Sequence, residues 1–310
     1  MIDINTIPLV VKKSSETDSE CLRRYGHNPD GEEGWIFLVK ELNGVIRVIS
    51  RSRQPRPGMP LIIGDGLCPE AAAFYDVRDA LEGYGNVVLN AHLASNMGQI
   101  IRAGSVIYNL EHLVPGGNPM VNFRRYINFL DTLKTGMYTV WDYQRGNVDY
   151  LRTLGIEVRH VPFGYHSCFE RVTPTEQDID VLFFGTPTPR REKVLNAIAR
   201  AGIRHKFVFD YIYGDERDKL IARAKIIVNV SRLDNHPLEV VRLNYLLANK
   251  CFVISERGSD DVENALYEGA LVFSDYADIA SKCIEYLTKD REAIASRGRE
   301  IIRARPMKVT

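Results

Sequence analysis

The chain lacks a cysteine framework. Its five cysteines (Cys21, Cys68, Cys168, Cys251, Cys283) are odd in number, widely spaced and never arranged as C-x-x-C. That pattern excludes a disulfide-stapled fold and a cysteine zinc site, and it fits reduced thiols. Surplus charge is missing too. Forty Lys+Arg stand against forty Asp+Glu, with 17 basic and 19 acidic residues up to position 170 and 23 and 21 beyond it. A dedicated duplex-binding protein takes its affinity from phosphate-neutralising cations, so this balance argues against one. The densest basic run, Arg51, Arg53 and Arg56, is interleaved with prolines and reads as a solvated loop. No segment approaches the ~20 apolar residues of a membrane span. Met1-Ile2-Asp3-Ile4-Asn5 carries acid where a secretion signal needs base. The expectation is a soluble, cytoplasmic protein without a membrane span.

Several chemical signatures are also absent. No G-x-x-x-x-G-K-[ST], G-x-G-x-x-G or H-E-x-x-H occurs, and no Ser-His-Asp or Cys-His pattern has supporting spacing. Asp178-Ile179-Asp180 has the D-x-D spelling of a metal-dependent transferase, but it precedes the strand-like run Val181 to Phe184 and so lies at the wrong end of it. A metal is not implied.

What is present is an α/β rhythm. The 310 residues, 45% hydrophobic and 26% charged, can bury one large core or two ordinary ones. From residue 61 onward, short apolar runs alternate with amphipathic stretches. Strand-like runs fall at 86–90, 105–110, 138–141 and 156–163, and helical spacing at 69–83, 120–133 and 144–154. The polar run 164–178 breaks the rhythm. A second series then follows, with strands at 181–184, 206–209, 226–230, 251–255 and 270–273 and helices between them. Such alternation predicts parallel sheets covered by helices on both faces. The expected fold is α/β, two Rossmann-like domains facing a cleft, with residues 1–170 on the acceptor side and 171–310 binding the donor. Trp35 to Lys40 and Val45 to Ser50 read as an antiparallel pair in a less regular N-terminal stretch.

Ligands of open α/β sheets sit beyond the carboxyl ends of the strands, often at helix N-termini. In the second series those positions hold Gly185-Thr186, Tyr211 to Gly214, Asn229 and Glu256; in the first, Asp65, His92, Glu111-His112 and Asp142-Tyr143. Gly185-Thr186-Pro187-Thr188-Pro189-Arg190-Arg191 follows a strand and opens a helix, which suits either a phosphate or a plain turn with a solvated Arg pair. In His236-Pro237-Leu238-Glu239-Val240-Val241-Arg242, Glu239 and Arg242 share a helix face, as a ligand pair or as an i,i+3 ion pair. Tyr211 and Tyr213 could stack on a base or pack as loop aromatics.

Several of these segments together resemble a known group. They are Lys225 to Val230, Glu239-x-x-Arg242, Tyr245 to Lys250 and Cys251 to Glu256, with Tyr108 to Glu111, Val140 to Tyr143 and Val161 to Tyr165 before them. The chain resembles nucleotide-sugar glycosyltransferases of the two-domain GT-B fold, specifically the family 1-like group with a CgeB-type C-terminal domain. The resemblance covers roughly residues 105–300. It implies transfer of a sugar from a nucleoside diphosphate sugar, a UDP-sugar first, to an acceptor hydroxyl, with Glu239 on the donor ribose and no metal. Donor contacts are then expected from Gly185, Thr186, Arg190, Arg191, Tyr211, Tyr213, Asn229, His236, Glu239, Arg242 and Glu256. The two-glutamate pattern with acids eight apart is missing, because Leu247 stands eight after Glu239. Retention or inversion therefore stays open. A proton acceptor is expected from Glu111, Asp142 or His92, with His112 in the same set. The acceptor is unassigned: a saccharide, another hydroxyl or a modified DNA base. A nucleotide-sugar epimerase, a nucleotide-binding module without turnover and a nucleic-acid-base sugar transferase remain as alternatives.

Overall fold

In the computed structural model the described residues are 9–13, 16–30, 35–40, 46–51, 58–63, 73–94, 101–113, 124–209, 212–234 and 236–308. The chain divides into two compact units, residues 1–108 and 109–310. The break expected at 170/171 therefore falls inside the second unit.

In the first unit, β1 (Leu9–Val11) runs parallel to β2 (Trp35–Lys40), and β2 pairs antiparallel with β3 (Ile46–Arg51), Phe37 opposite Ile49. Helix α1 (Asp18–Arg24) closes this small layer. A capping box starts it, with Thr17 taking the Glu20 N–H while the Glu20 carboxylate takes the Thr17 N–H. Val10, Cys21, Leu22 and Val39 form the buried seam. Further on, β4 (Leu61–Ile62), β5 (Val87–Leu89) and β6 (Val106–Asn109) pair in parallel, β6 straddling the division. Helix α2 (Tyr75–Ala80) precedes β5.

The second unit opens with α3 (Arg124–Leu133), β7 (Thr139–Asp142), α4 (Arg145–Thr153) and β8 (Val158–His160), with β7 and β8 parallel through Val140 opposite Val158. Its main sheet is built from β9 (Ile179–Phe184), β10 (His205–Val208), β11 (Ala224–Asn229), β12 (Val253–Ser255) and β13 (Val272–Phe273), all parallel in the order β10-β9-β11-β12-β13. The crossovers are α5 (Pro189–Arg200), α6 (Gly214–Ala222), α7 (Val240–Ala248) and the short α8 (Asp261–Ala265), followed by α9 (Ile279–Leu287) and α10 (Glu292–Arg303). The strand runs are continuously apolar because both faces are covered; Val181, Phe183, Ile226, Val228 and Ile254 bury against Val194, Leu195 and Ile198 of α5 and Ile279 and Cys283 of α9. The predicted α/β class and nearly every predicted element of the second series are borne out. Asp178 and Asp180 lie at the amino end of β9, where they pair with Arg223 and with Arg204 and Lys225.

The polar stretch 164–178 is held down rather than loose. Asn249, just past α7, accepts the N–H groups of Arg171 and Val172 at 2.9 Å each and donates to the Phe169 carbonyl at 2.6 Å. Asn244, buried inside α7, donates to the Phe163 carbonyl at 2.8 Å. After α10 the chain returns to this stretch. The Tyr165 N–H donates to the Arg305 carbonyl and the Met307 N–H to the Tyr165 carbonyl, and Glu170 pairs with Arg299 and Arg303. Among the described residues no helix is long and apolar enough to cross a membrane.

Candidate active site

Four of the sequence-nominated donor residues, Gly185, Arg191, Glu239 and Arg242, converge at the carboxyl end of β9. Gly185 has φ +145°, on the side of the map that L side chains rarely adopt. A Cβ there would sit 3.3 Å from the Arg242 guanidinium and 3.4 Å from that of Arg191. Arg191 is buried although it stands in the first turn of α5. Thr188 caps that helix by accepting the Arg191 N–H at 3.2 Å, and Pro189 fills the first helical position. The Arg191 side chain donates to the Val230 carbonyl (2.8 Å), the Thr186 carbonyl (2.9 Å) and Glu239 Oε1 (3.1 Å). Burial pushes its pKa down to about 10, against the attraction of Glu239.

Glu239 stands at the start of α7 and its carboxylate is shared: Oε1 takes Arg191, and Oε2 lies 3.3 Å from Arg242 Nε. Burial by itself would raise its pKa, but Arg242, Arg191, His236 and Arg232 together hold it below the ordinary value. Arg242 also lies 4.8 Å over the Phe184 ring. The i,i+3 ion pair read from the sequence thus exists, with a buried second guanidinium closing on the same carboxylate.

Arg190 is placed differently. It donates to Glu256 through both terminal nitrogens, to the Ser231 carbonyl at 3.0 Å and, through Nε, to Asp234 at 2.6 Å. It stacks 4.2 Å from the Tyr276 ring centroid. Glu256 is buried and also accepts the Ser231 N–H at 2.7 Å. Neighbouring Asn229 donates to Ser255 Oγ at 3.0 Å, while its buried Oδ1 has no partner. Tyr213 leads into α6, Thr186 is exposed, and Tyr211 lies outside the described residues. Ser231, Asp234, Ser255 and Tyr276 were not singled out from sequence, since nothing local marks a strand-end serine or a distant aromatic as a partner.

A second polar group gathers at the ends of β6 and β7, within the same unit. Asp142 is fully buried and saturated. It accepts from Asn109 Nδ2 (2.7 Å), the Gln144 N–H (2.8 Å) and Asn147 Nδ2 (3.0 Å). Burial pushes its pKa up to about 7 against these donors. Glu111 is half-buried; its backbone carbonyl takes Asn109 Nδ2 and Asn147 Nδ2, and Tyr126 donates to its carboxylate at 3.4 Å. His112 Nδ1 faces Gln144 Oε1 at 3.2 Å, and its ring lies 5.2 Å from that of His236. Burial, followed by the charge of His236, lowers the His112 pKa against the Gln144 bond. The loop carrying His236 is clamped by Gly258, where a Cβ would sit 2.3 Å from the Leu238 nitrogen. His92 belongs to the first unit, buried in the single 3₁₀ turn Ala91–Leu93 after β5. Among the described residues no three His, Cys, Asp or Glu side chains form a cation cluster.

Residues 170–307 match the family model described as "Glycosyl transferase-like". Two proteins of Acanthamoeba polyphaga mimivirus are similar: "Uncharacterized protein L140", 26% identical over 157 residues (48% of this chain, 51% of that one), and "Uncharacterized protein L138", 24% identical over 155 residues (49% and 16%). The chain thus spans about half the length, or less, of the curated relatives it matches. Among solved structures, a variant of S. aureus TarM is similar at 10% identity, covering 89% of this chain and 62% of that one with a TM-score of 0.49. Sucrose-phosphate synthase from Thermosynechococcus elongatus gives 12%, 77%, 75% and 0.48.

Proposed function

We propose that the protein transfers a sugar from a nucleoside diphosphate sugar to an acceptor hydroxyl. The observation that carries this reading is the Gly185–Arg191–Glu239–Arg242 cluster. It offers a side-chain-free backbone turn, two guanidiniums and a carboxylate kept ionised, at the strand ends where α/β sheets take ligands. Glu239 would accept from the donor ribose hydroxyls, and Arg242 would meet the diphosphate. A UDP-sugar is the first donor to test.

Charge balance within the site selects which groups must move. Arg190, Arg191 and Arg242 pair with Glu239, Glu256 and Asp234, three cations on three carboxylates, with Arg232 adding positive charge nearby. An arriving diphosphate gains a positive field when one carboxylate leaves. Asp234, its side chain 91% exposed, is the one able to swing into solvent.

In the transfer step the acceptor oxygen bonds to the anomeric carbon, the bond from that carbon to the diphosphate breaks with its electron pair, and the hydroxyl proton must be taken up. Asp142 is fully engaged by three donor groups, so it serves to position its neighbours. His112, neutral at physiological pH because its pKa is depressed, is proposed as the proton acceptor, with Glu111 next to it. Residues 171–310 are proposed as the donor half. The test is a donor panel assayed for released nucleoside diphosphate with and without saccharide acceptors. Acceptor-dependent release that collapses in Glu239→Gln supports transfer. Binding without release would leave a nucleotide-binding module, and sugar interconversion without release an epimerase.

A further inference from the structure

The polar group around His112 has a feature that catalytic candidacy alone does not require. Gln144 is buried, and both ends of its amide are used. Nε2 donates to Tyr143 Oη at 2.7 Å, and Oε1 faces His112 Nδ1 at 3.2 Å. An amide oxygen only accepts, so this contact is a hydrogen bond only in the tautomer with the proton on His112 Nδ1, whose basic nitrogen is Nε2. The amide is itself anchored: the Gln144 N–H donates to Asp142 at 2.8 Å, and Asp142 is locked by Asn109 and Asn147.

We infer that Gln144 is a positioning residue that fixes the tautomer of His112, and that Asp142, Asn109 and Asn147 hold the turn from which it does so. Gln144 after β7 and His236 from the loop before α7 both approach the His112 ring, and Glu111 precedes it in the chain. The ring contact with His236 does not distinguish the two nitrogens, whereas the Gln144 oxygen addresses Nδ1 alone. His236 Nδ1 likewise lies 2.7 Å from the Pro237 carbonyl, so both rings have an acceptor at Nδ1. Tautomer selection outweighs its modest hydrogen-bond energy wherever an imidazole accepts a proton, because the wrong tautomer has no lone pair at the reacting position. The inference rests on the proposed function only for its consequence on transfer; the tautomer itself is a property of the resting protein.

The experiment is two-dimensional 15N–1H spectroscopy of the full chain labelled at histidine, with the His112 resonances assigned by their loss in His112→Asn. The wild-type ring is expected as the Nδ1–H form. Gln144→Glu keeps an acceptor in place, so the Nδ1–H form should persist and His112 should titrate about one pH unit higher. Gln144→Leu removes the acceptor, and the Nε2–H form should appear. Transfer should fall about tenfold or more in Gln144→Leu and be substantially restored in Gln144→Glu, a rescue that a packing role would not produce. A wild-type Nε2–H form overturns the inference, and so does an unchanged Nδ1–H form in folded Gln144→Leu. If Gln144→Leu does not fold, the wild-type spectrum and the Gln144→Glu titration still decide. Absence of transfer by the wild type with every donor would remove the proposed function while leaving the tautomer result intact.

Discussion

At the scale of single residues, the site is a set of carboxylates whose surroundings assign them different work. Glu239 is held ionised between two guanidiniums, so Glu239→Gln, which keeps its shape, should weaken nucleoside diphosphate sugar binding by roughly 1.5–3 kcal/mol. Calorimetry on the folded variant checks this; unchanged affinity would remove Glu239 from the site. Asp234 is the exposed lid on Arg190, and exposed pairs are worth about 0–1 kcal/mol. Asp234→Asn should therefore tighten nucleoside diphosphate binding by up to about fivefold, and weaker binding would contradict its role as a placeholder. Asp142 obeys a different rule. Its pKa is raised to about 7 in the fold from 3.8, so the folded state keeps a proton that the unfolded chain has lost. The stability this contributes is full below about pH 4 and is lost as pH rises to about 7, at up to about 1.4 kcal/mol per pH unit. Asp142→Asn should flatten that slope in urea titrations between pH 4.5 and 7.5 while lowering stability overall, because its new NH₂ must face donors. Parallel wild-type and variant pH curves would show that Asp142 does not titrate in this window. The polar character of these positions was legible in the sequence. The bond from Asn109, 33 positions away, was not, whereas Gln144 and Asn147 reach Asp142 from two and five positions on.

At the scale of elements, α7 organises the second unit. Its apolar residues face neighbours on all sides, and Val240, Leu243, Leu246, Leu247 and Ala248 are all buried. Its first turn carries Glu239 and Arg242, and its end carries Asn249, which ties down residues 169–172. Asn249→Ala would remove the acceptor of the Val172 N–H and leave the Arg171 N–H and the Phe169 carbonyl only their bond to each other at 2.9 Å. A loss of at least about 1–3 kcal/mol is expected, read as a lower urea midpoint with an unchanged denaturant slope. The helix itself was evident from its apolar periodicity, and so were the opening of α5 near Pro189 and the strands between. The stretch 164–178 read as a linker because its residues are polar. Its order comes from side chains some 80 positions away in sequence, which no local pattern encodes.

At the scale of the whole molecule, charge is balanced and the isoelectric point is near 7.1. Self-repulsion is therefore least near neutrality, and low-salt solubility should pass through a minimum near pH 7; turbidity across pH 5–9 tests this, and a minimum far from neutrality would reveal strongly shifted charges. What the sequence by itself determined is the alternation of buried parallel strands with amphipathic helices, and hence the strand ends at which ligands sit. Hydrophobic periodicity and helix-start residues are local, and they need no knowledge of distant chain. Only the tertiary structure decided how the charged residues are spent. Arg190 and Arg191 are adjacent in sequence and equal in charge, yet one is tied to Glu256 and Asp234 and the other is buried on Glu239 beside Gly185. Successive residues leave a helix about 100° apart, so each guanidinium meets a different strand end, and the choice of partner is made by the packing of β9 and β11 with α5 and α7.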